Sequence, residues 1–357
     1  MASYGCLTPL RVTKHHLTLH DRENMSLVPF QQARSMAVAV LCQANAPPAH
    51  AEIQADLLLE AELRGRASHG LLRLPRIVER IVNGVADPAA TGLHRWRGAC
   101  LEVDGQMGLG PVISAAALKA LAERVETAGL ALAAIRNNNH IGMLSWYVEG
   151  AARQGFILIA TSTSEALVHP WGGRHAMLGT NPIAIGVPTA DAPFVMDMAT
   201  SLVSMGQIHD YAGRGVPLPE GWALDASGEP TTDASAAMAG AIAPFGGPKG
   251  YALGLALEML VVGLTGSGIG NEVKGTLDSD QPANKGDVFI MVKPDASTAL
   301  PGRLHAYLDA IRTSGDDKPV SVPNDRALAL RAKRIEEGIP VPPDLWGRLL
   351  TLANKEI

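Results

Sequence analysis

Apolar and polar positions repeat with two different periods along the chain, and the period separates predicted helices from predicted strands. Helical spacing predicts one helix around 30–44 and a second around 50–63, with Pro47-Pro48 between them. A third helix begins at Pro75, because proline suits a first helical position, and ends at Asn83-Gly84. This part of the chain is therefore predicted to be mostly helical.

Helices and strands alternate through the middle of the chain. Short apolar runs predict strands in LALAAIRN, FILIATSTS, PIAIGVPT and PFVMDMAT, and longer patterns predict helices in ISAAALKALAERVETAG and MLSWYVEGAARQG. A further helix is predicted over 249–264 and a late strand over 287–294. The alternation favours an α/β fold, in which helices pack on a sheet.

Three segments depart from this pattern. Residues 209–235 are polar and rich in turn signals, and they are expected to form a long loop. The charged segment 324–340 is expected to close over another part of the molecule. Residues 250–270 imitate a membrane span, but Glu258 and several glycines interrupt the apolar run, so a buried helix is predicted.

The composition is that of a folded protein with a sizeable core, since 47% of the 357 residues are hydrophobic and 18% are charged. The formal net charge is −5 and no run of Lys or Arg stands out, so nucleic acid and anionic membranes are not expected as partners. Cys6, Cys42 and Cys100 are odd in number and far apart. They indicate neither a disulfide framework nor a zinc cluster, and they favour a cytoplasmic protein.

Residues 1–24 contain three histidines but no apolar stretch typical of a signal peptide. The spacing of His16 and His20 could hold a metal on a helix. We expect instead a disordered extension ahead of a start near Met25, and no metal site.

A glycine turn in DGQMGLGPVISAA has the outline of a dinucleotide-binding loop. Gly105, Gly108 and Gly110 do not have the G-x-G-x-x-G spacing, and no acidic residue stands at a strand end about 20 residues further on. A Rossmann fold is therefore not expected.

Four segments carry polar side chains in apolar, glycine-rich surroundings. They are RASHGLLRLPRIVER (66–80) with Ser68, His69 and Arg73, RNNNHIGMLSWY with His140, HPWGGRHAMLGTNPIAIGVP (169–188), and FGGPKGYALG with Lys249 at a helix start. An arginine can clamp a carboxylate, a histidine can exchange the proton of an alcohol, and a lysine above free helix N–H groups can bind a phosphate. The set fits a redox reaction on a small carboxylic acid with a nicotinamide cofactor.

Ser68 and His69 are not expected to form a nucleophilic pair, because adjacent residues in a turn seldom face each other and no G-x-S-x-G elbow is present.

These segments together resemble the non-Rossmann malate/L-lactate dehydrogenase family, which includes ureidoglycolate and sulfolactate dehydrogenases, diketogulonate reductase and piperideine-/pyrroline-2-carboxylate reductases. The matching motifs run in the family's order over roughly residues 26–340: SHGLLRLP, NNNHIG, PWGGRHAMLGTNPIAIGVP, VMDMATS, PTTD, GGPKGYALGLALEML and NKGDVFI. The resemblance implies a family-specific NAD(P)-binding fold, with a mixed sheet, flanking helices and a helical N-terminal subdomain. It also implies a homodimer with the site near the subunit interface.

The resemblance also implies a role for each matching position. His69 would donate or accept the proton with Ser68 beside it, and Arg73 would bind the substrate carboxylate. Thr180 matches a further substrate contact. His140 matches a position that is the proton acceptor in some members and part of the nicotinamide site in others. The positions that match cofactor contacts are His140, Ile141, Gly142, Ser164, Asp197, Met198, Ala199, Pro248, Lys249 and Asn324.

Two positions depart from the family pattern. Gln207 stands where some imine-reducing members carry an aspartate, which weakens a cyclic-imine substrate because glutamine holds no charge. Asn324, in Pro323-Asn324-Asp325, replaces the glycine of a family Pro-Gly-Glu motif. Asparagine can still adopt the left-handed conformation that the glycine would use.

The sequence thus predicts a cytoplasmic, homodimeric oxidoreductase that uses NAD or NADP on a 2-hydroxy acid/2-oxo acid pair of the malate, lactate, sulfolactate or ureidoglycolate type. A cyclic-imine reductase is the alternative within the family, and a catalytically inactive ligand-binding homologue is the alternative of another class. Residues 101–299 are expected to be the central NAD(P)-binding domain. Residues 25–100 and 300–357 are expected to form a dimerisation and substrate subdomain, with 1–24 as the extension.

Overall fold

A seven-stranded sheet forms the centre of the computed structural model, which describes residues 25–294, 299–316 and 318–354. In chain order the strands of the molecule are β1 (Ser26–Val28), β2 (Leu93–Arg97), β3 (Cys100–Asp104), β4 (Leu130–Arg136), β5 (Ile157–Ser162), β6 (Ile183–Val187), β7 (Phe194–Met198), β8 (Ala223–Leu224), β9 (Pro230–Thr231), β10 (Ala241–Ile242), β11 (Asp287–Val292) and β12 (Ile339–Val341). The central sheet has the order β2-β3-β4-β11-β5-β6-β7. Within it β3 and β4 are parallel and the other neighbours are antiparallel, so the sheet is mixed and is not a doubly wound Rossmann sheet.

The helices flank this sheet and extend it at one end. In chain order they are α1 (Phe30–Gln43), α2 (Pro48–Leu63), α3 (Leu74–Val82), α4 (Gly110–Ala128), α5 (Ser145–Arg153), α6 (Met205–Arg214), α7 (Ala234–Ala237), α8 (Pro248–Thr265), α9 (Leu300–Arg312), α10 (Asp325–Glu337) and α11 (Pro343–Ala353). The predicted α/β fold with a mixed sheet, flanking helices and an N-terminal helical part is confirmed.

The largest core lies between the sheet and the helices α4 and α5. Ile113 and Leu121 of α4, with Val148 of α5, pack on Ile135 of β4 and Phe289 of β11, and all five are buried. Burial of aliphatic and aromatic side chains of this size stabilises the fold by about 1.5–3 kcal/mol each. The strands of the candidate site are therefore held rigidly.

The two ends of the described chain meet around the N-terminal helices. Strand β1 pairs antiparallel with β12, and α11 packs on α1 while α10 packs on α2. A second core fills this region, with Leu41, Leu58, Leu74 and Leu349 among its buried members. The charged segment 324–340 therefore does close over another part of the molecule, and that part is α2. The assignment of separate domains stays a prediction.

The prediction of a long loop over residues 209–235 is wrong. Its first residues belong to α6, and a small three-stranded sheet of order β10-β8-β9 follows. The helix begins with a capping box between Ser204 and Gln207, which satisfies its first N–H groups. Scattered apolar residues, including Ile208 and Leu218, form a third core that the polar sequence around them concealed.

Helix α8 forms where a buried helix was predicted, but only one of its faces is buried. Leu257 and Val261 face the protein, and Asn181 bonds the buried Glu258, whereas Met259 on the other face is 58% exposed. In the part of the chain that the structure describes, no helix has the length and apolar character needed to cross a membrane. The outer face of α8 presents exposed apolar side chains among the described residues.

Candidate active site

The SHG segment lies between α2 and α3, as the sequence predicted, and consists of two short 3₁₀ turns. The buried Glu62 at the end of α2 accepts the backbone N–H of Leu71 at 2.8 Å, which fixes the second turn. Arg73 Nε donates to the carbonyl of Ser68 at 2.7 Å, so the arginine folds back over the first turn. His69 and Arg73 are therefore carried by one rigid element.

Ser68 and His69 do face each other, contrary to the expectation for adjacent turn residues. Ser68 Oγ lies 3.0 Å from His69 Nδ1. The intervening 3₁₀ geometry brings the two side chains to the same side of the turn. The hydroxyl thus holds one imidazole nitrogen, and the other is left to meet a ligand.

His140 belongs to the turn that follows β4. Asn138 donates to the buried Asp287 at 3.0 Å, and Asn139 donates to the carbonyl of Gly108 at 2.9 Å. A Cβ on Gly110, at the start of α4, would lie 2.3 Å from the carbonyl oxygen of His140, so only glycine permits this approach. The turn is therefore clamped from both sides.

The imidazole rings of His69 and His140 lie next to each other. Their ring centroids are 5.4 Å apart with a tilt of 36°. The backbone N–H of Gly142 donates to His140 Nδ1 at 3.2 Å. Because Nδ1 accepts this bond, the proton of neutral His140 sits on Nε2, and that nitrogen is a donor. A cleft is lined by Arg73, His140, Thr276 and neighbouring residues.

Burial, and then the positive charges nearby, favour the neutral form of both imidazoles. Burial, and then the charges of Arg73 and Arg66, lower the pKa of His69 to about 3. Burial also lowers the pKa of His140 well below its ordinary value, and the charges of Arg73, His69 and Lys285 add to the effect. A neutral imidazole is the form that can accept a proton.

A chain of hydrogen bonds connects Arg73 to the predicted substrate contact Thr180. Arg73 Nη1 donates to the carbonyl of Thr276 at 3.1 Å, and the N–H of Thr276 donates to the Glu165 carboxylate at 2.7 Å. Next to Glu165, Ser164 Oγ accepts the backbone N–H of Thr180 at 2.9 Å. Three candidate residues from distant parts of the sequence are thus joined through Thr276 and Glu165.

The positions that match cofactor contacts on β7 lie beside this chain. Thr200, which follows Ala199, donates from its N–H to the carbonyl of Thr180 at 2.8 Å. Asp197 and Met198 are the last residues of β7, within the strand predicted for PFVMDMAT. Asp197 accepts the N–H of Ser145 at 2.9 Å, and it therefore caps the start of α5.

Ile141 and Gly142 directly follow His140 in the same turn. Ile141 is buried, and its carbonyl accepts the hydroxyl of Tyr147 at 2.6 Å. Gly142 has φ +72°, a conformation that favours glycine, and its backbone passes directly over Leu57.

Pro248 and Lys249 open α8, as predicted, at the glycine turn. The Lys249 side chain is exposed, and within the described residues it has no hydrogen-bond or ion-pair partner. The Trp171 ring lies against Gly247 beside it. A free ammonium above unpaired helix N–H groups is suited to a phosphate.

Asn324 contacts none of the other candidate residues in the described structure. It has φ +78°, the left-handed conformation expected for it, and its Oδ1 accepts from Arg64 Nη1 at 3.2 Å. Its Nδ2 is buried and, as far as the described residues go, lacks a partner.

Several residues of the site were not singled out by the sequence. Glu165 and Thr276 connect its parts, Arg80 donates to Asn139 at 2.9 Å, and Lys285 pairs with Asp287 at 2.5 Å in the buried interior. The motif NKGDVFI contains the last pair, but the spacing of Lys285 and Asp287 carries no signal of its own. Within the ranges that the structure describes, no cluster of three or more His, Cys, Asp and Glu could hold a metal ion.

Comparison with known proteins yields matches along nearly the whole chain. The sequence model of the malate/L-lactate dehydrogenase family matches residues 28–350. An L-sulfolactate dehydrogenase of Methanocaldococcus jannaschii is 32% identical over 331 residues, covering 91% of this chain and 96% of that protein. A Δ1-pyrroline-2-carboxylate/Δ1-piperideine-2-carboxylate reductase of Pseudomonas aeruginosa is 33% identical over 335 residues, covering 92% and 99%. The crystal structure of a dehydrogenase from Sinorhizobium meliloti has a TM-score of 0.89 and 50% identity, with 93% of this chain and 99% of that one covered.

Proposed function

The chain belongs to the malate/L-lactate dehydrogenase family, and on that premise we propose that it moves a hydride between NAD(P) and C2 of a small 2-hydroxy acid. The substrate class is that of malate, lactate, sulfolactate or ureidoglycolate. The observation that carries the proposal is the pair of imidazole rings of His69 and His140, whose centroids lie 5.4 Å apart, with Arg73 folded back onto the segment that carries His69.

The residues present fit a nicotinamide dinucleotide. Lys249, which follows Pro248 at the start of α8, offers an ammonium that has no partner among the described residues. Ser164 and Thr200, the residue that follows Ala199, are connected to Thr180 by the hydrogen bonds described above. These residues would hold NAD or NADP, whose nicotinamide accepts or donates the hydride.

We assign different tasks to the two histidines. We assign the proton of neutral His69 to Nδ1, which donates to Ser68 Oγ 3.0 Å away, so that the second nitrogen of His69 accepts the hydroxyl proton. His140 keeps its proton on Nε2, because Nδ1 accepts from Gly142, so it donates a hydrogen bond to the substrate oxygen. Arg73 binds the C1 carboxylate, and its bonds to two backbone carbonyls fix its direction.

The test is an assay of the purified protein with NAD and NADP on malate, lactate, sulfolactate, ureidoglycolate and pyrroline-2-carboxylate. Turnover of one or more hydroxy acids, and a loss of about 10²- to 10⁴-fold in kcat for His69→Gln, are expected. His94→Gln, at an exposed histidine on the edge strand β2, serves as the control and should leave kcat unchanged. Cofactor binding with no turnover of any acid or imine would support the inactive ligand-binding homologue instead.

A cyclic-imine reductase is the second candidate, because the Pseudomonas aeruginosa relative is named for that activity. In this chain Gln207 caps its own helix, where its Oε1 accepts the N–H of Ser204 at 3.2 Å. The same helix start approaches Ser68, since a Cβ on Gly206 would lie 3.5 Å from Ser68 Cβ. A glutamine engaged in this cap cannot supply a charge beside Ser68. Activity on pyrroline-2-carboxylate alone would favour the reductase over our first proposal.

We also propose that the enzyme is a homodimer and works in the cytoplasm. The outer face of α8 supports a dimer, because it presents exposed apolar side chains in a helix whose first turn carries Lys249. These side chains are Leu253, Leu255, Met259 and Leu260. Free Cys42 and Cys100 support a reducing compartment. Light scattering should give a dimer mass that Met259→Glu lowers to that of a monomer, whereas Leu130→Glu, at an exposed residue of β4, should leave it unchanged.

A further inference from the structure

Three arginines follow one face of the cleft wall. Arg73, Arg76 and Arg80 are spaced three and four residues apart, so they lie on the same side of α3 and the turn before it. All three line the cleft together with His140 and Thr276. The proposed function uses Arg73 and leaves the other two cations of this wall without a role.

Arg80 is engaged by the protein itself. Its Nε donates to Asn139, and its Nη1 donates to the carbonyl of Asp278 at 3.0 Å and lies 3.5 Å from the Asp278 carboxylate. Only 5% of Arg80 is exposed. It therefore serves the fold by tying α3 to the His140 turn and to the loop around Asp278.

Arg76 differs from both neighbours. It is half-buried at the cleft, and across residues 25–294, 299–316 and 318–354 it has no hydrogen-bond or ion-pair partner. Its charge is close enough to be felt at the site, because it contributes to lowering the pKa of both Arg73 and His140. An unpaired cation beside another cation is unfavourable unless an anion binds between them.

We propose that Arg76 binds a second anionic group of the substrate, so that the enzyme selects 2-hydroxy acids with a carboxylate or sulfonate on C3. This inference rests on the proposed function. Side chains three residues apart on a helix are separated by about 5–6 Å at Cβ, a spacing suited to the two ends of a short dianion. Arg73 then holds the C1 carboxylate and Arg76 holds the distal group, with C2 between them beside the histidines. Lactate and the cyclic-imine acids offer no distal anion and would leave Arg76 unpaired.

The test compares kcat/KM for malate and 3-sulfolactate with kcat/KM for 2-hydroxybutyrate, which carries a methyl group where malate carries a carboxylate. In Arg76→Gln we expect a loss of about 10- to 100-fold on each dianion, mainly as a rise in KM, and less than a threefold change on 2-hydroxybutyrate. Arg76→Lys should keep part of the selectivity, because it keeps the charge.

The control is Arg124→Gln, which removes a half-buried arginine that stacks on Trp96 away from the cleft. The ratio between malate and sulfolactate in the native enzyme tells which distal group is preferred.

Direct calorimetric titration with oxaloacetate and with 2-oxobutyrate separates this inference from the proposed function. Selective weakening of oxaloacetate binding in Arg76→Gln would support the inference even in a protein that turns over no acid. An equal loss on all three hydroxy acids, or a weaker affinity for NADH and NADPH with unchanged acid selectivity, would overturn it. In either of those cases turnover of the acids would leave the proposed function intact.

Discussion

The side-chain amide of Asn138 donates a 3.0 Å hydrogen bond to Asp287, whose carboxylate also receives the ammonium of Lys285 at 2.5 and 2.6 Å. Ser162 donates to the same carboxylate at 2.7 Å. One buried carboxylate on β11 thus joins β5, a buried cation and the turn that ends in His140. The turn that carries His140 is attached to the centre of the sheet rather than to its edge.

We predict that Asp287→Asn destabilises the fold by about 3–5 kcal/mol, because it leaves the Lys285 ammonium buried without its partner. The double variant Lys285→Met/Asp287→Asn should recover part of that loss, since it removes both charges. Urea unfolding of the two variants measures the difference. If the double variant is as unstable as the single one, the pair is not coupled in the way the structure indicates.

A second prediction concerns the pH dependence of oxidation. Burial and nearby cations lower the pKa of His69, the proposed proton acceptor, to about 3, so the free enzyme keeps this imidazole neutral at pH 5, and they lower the pKa of His140 well below its ordinary value. A proton acceptor is blocked by its own protonation only when the pH falls below its pKa. A lowered pKa therefore shifts the loss of kcat/KM on the acid side to a lower pH. The groups facing His140 are Arg73, His69, Lys285 and Arg76, and the charge of each lowers the pKa of His140.

We therefore expect kcat/KM for oxidation of the hydroxy acid to be flat from pH 8 to pH 5. An unperturbed histidine would give a loss of about tenfold by pH 5.5. Arg76→Gln removes one of the facing charges and should move any acid limb upward. An inflection near pH 6.5 in the native enzyme would contradict the electrostatic description of the cleft.

The sequence predicted the parts of the fold whose apolar pattern is continuous. The strands β4, β5 and β11 and the helices α1 to α5 follow from it, because each buries a regular face against the sheet or against its neighbours. Strand β2 was missed, since its residues LHRWR are mostly exposed at the edge of the sheet. The residues 223–242 were missed because their strands are two residues long.

Some residues of the candidate site could be predicted from the sequence and others could not. Ser68, His69, Arg73 and His140 stand out because polar side chains interrupt apolar surroundings near glycines. Thr276 joins Arg73 through its backbone carbonyl, from a loop about two hundred residues away in the chain. A contact through a backbone atom leaves no mark on residue type, and no periodic pattern could have indicated it.

The third prediction uses Glu62, whose carboxylate holds the SHG turn through Leu71. Burial raises the pKa of Glu62 to about 7, so the folded protein binds a proton there that the unfolded chain releases near pH 4.5. The stabilisation from this proton is complete below pH 4.5 and is lost as pH rises through 7. The group therefore contributes a fall in the free energy of unfolding of at most about 3 kcal/mol across that interval.

Glu62→Gln keeps an oxygen that can accept from Leu71 and removes the titration. We expect the variant to lose this component of the pH dependence, and to be at least as stable as the native protein at pH 8. Guanidinium unfolding at pH 5, 6.5 and 8 checks this, with Glu52→Gln at the partly exposed start of α2 as the control. An unchanged slope between pH 5 and 8 in Glu62→Gln would rule out a buried, protonated Glu62.

The last prediction concerns two glycines that lie close together in the sequence and in very different surroundings. Gly142 has φ +72°, and a Cβ there would lie 2.0 Å from Leu57 Cδ2. Gly150 lies inside α5, and a Cβ there would meet nothing within 4 Å.

Gly142→Ala should therefore cost about 1–3 kcal/mol of stability through overpacking and strain, and lower kcat because the bond from Gly142 N–H to His140 Nδ1 is displaced. Gly150→Ala should raise stability by about 0.5–1 kcal/mol and leave kcat unchanged, because alanine is the better helix residue. Leu57→Ala combined with Gly142→Ala should restore part of kcat, and the absence of any such recovery would show that the backbone angle, rather than the contact with Leu57, fixes the His140 turn.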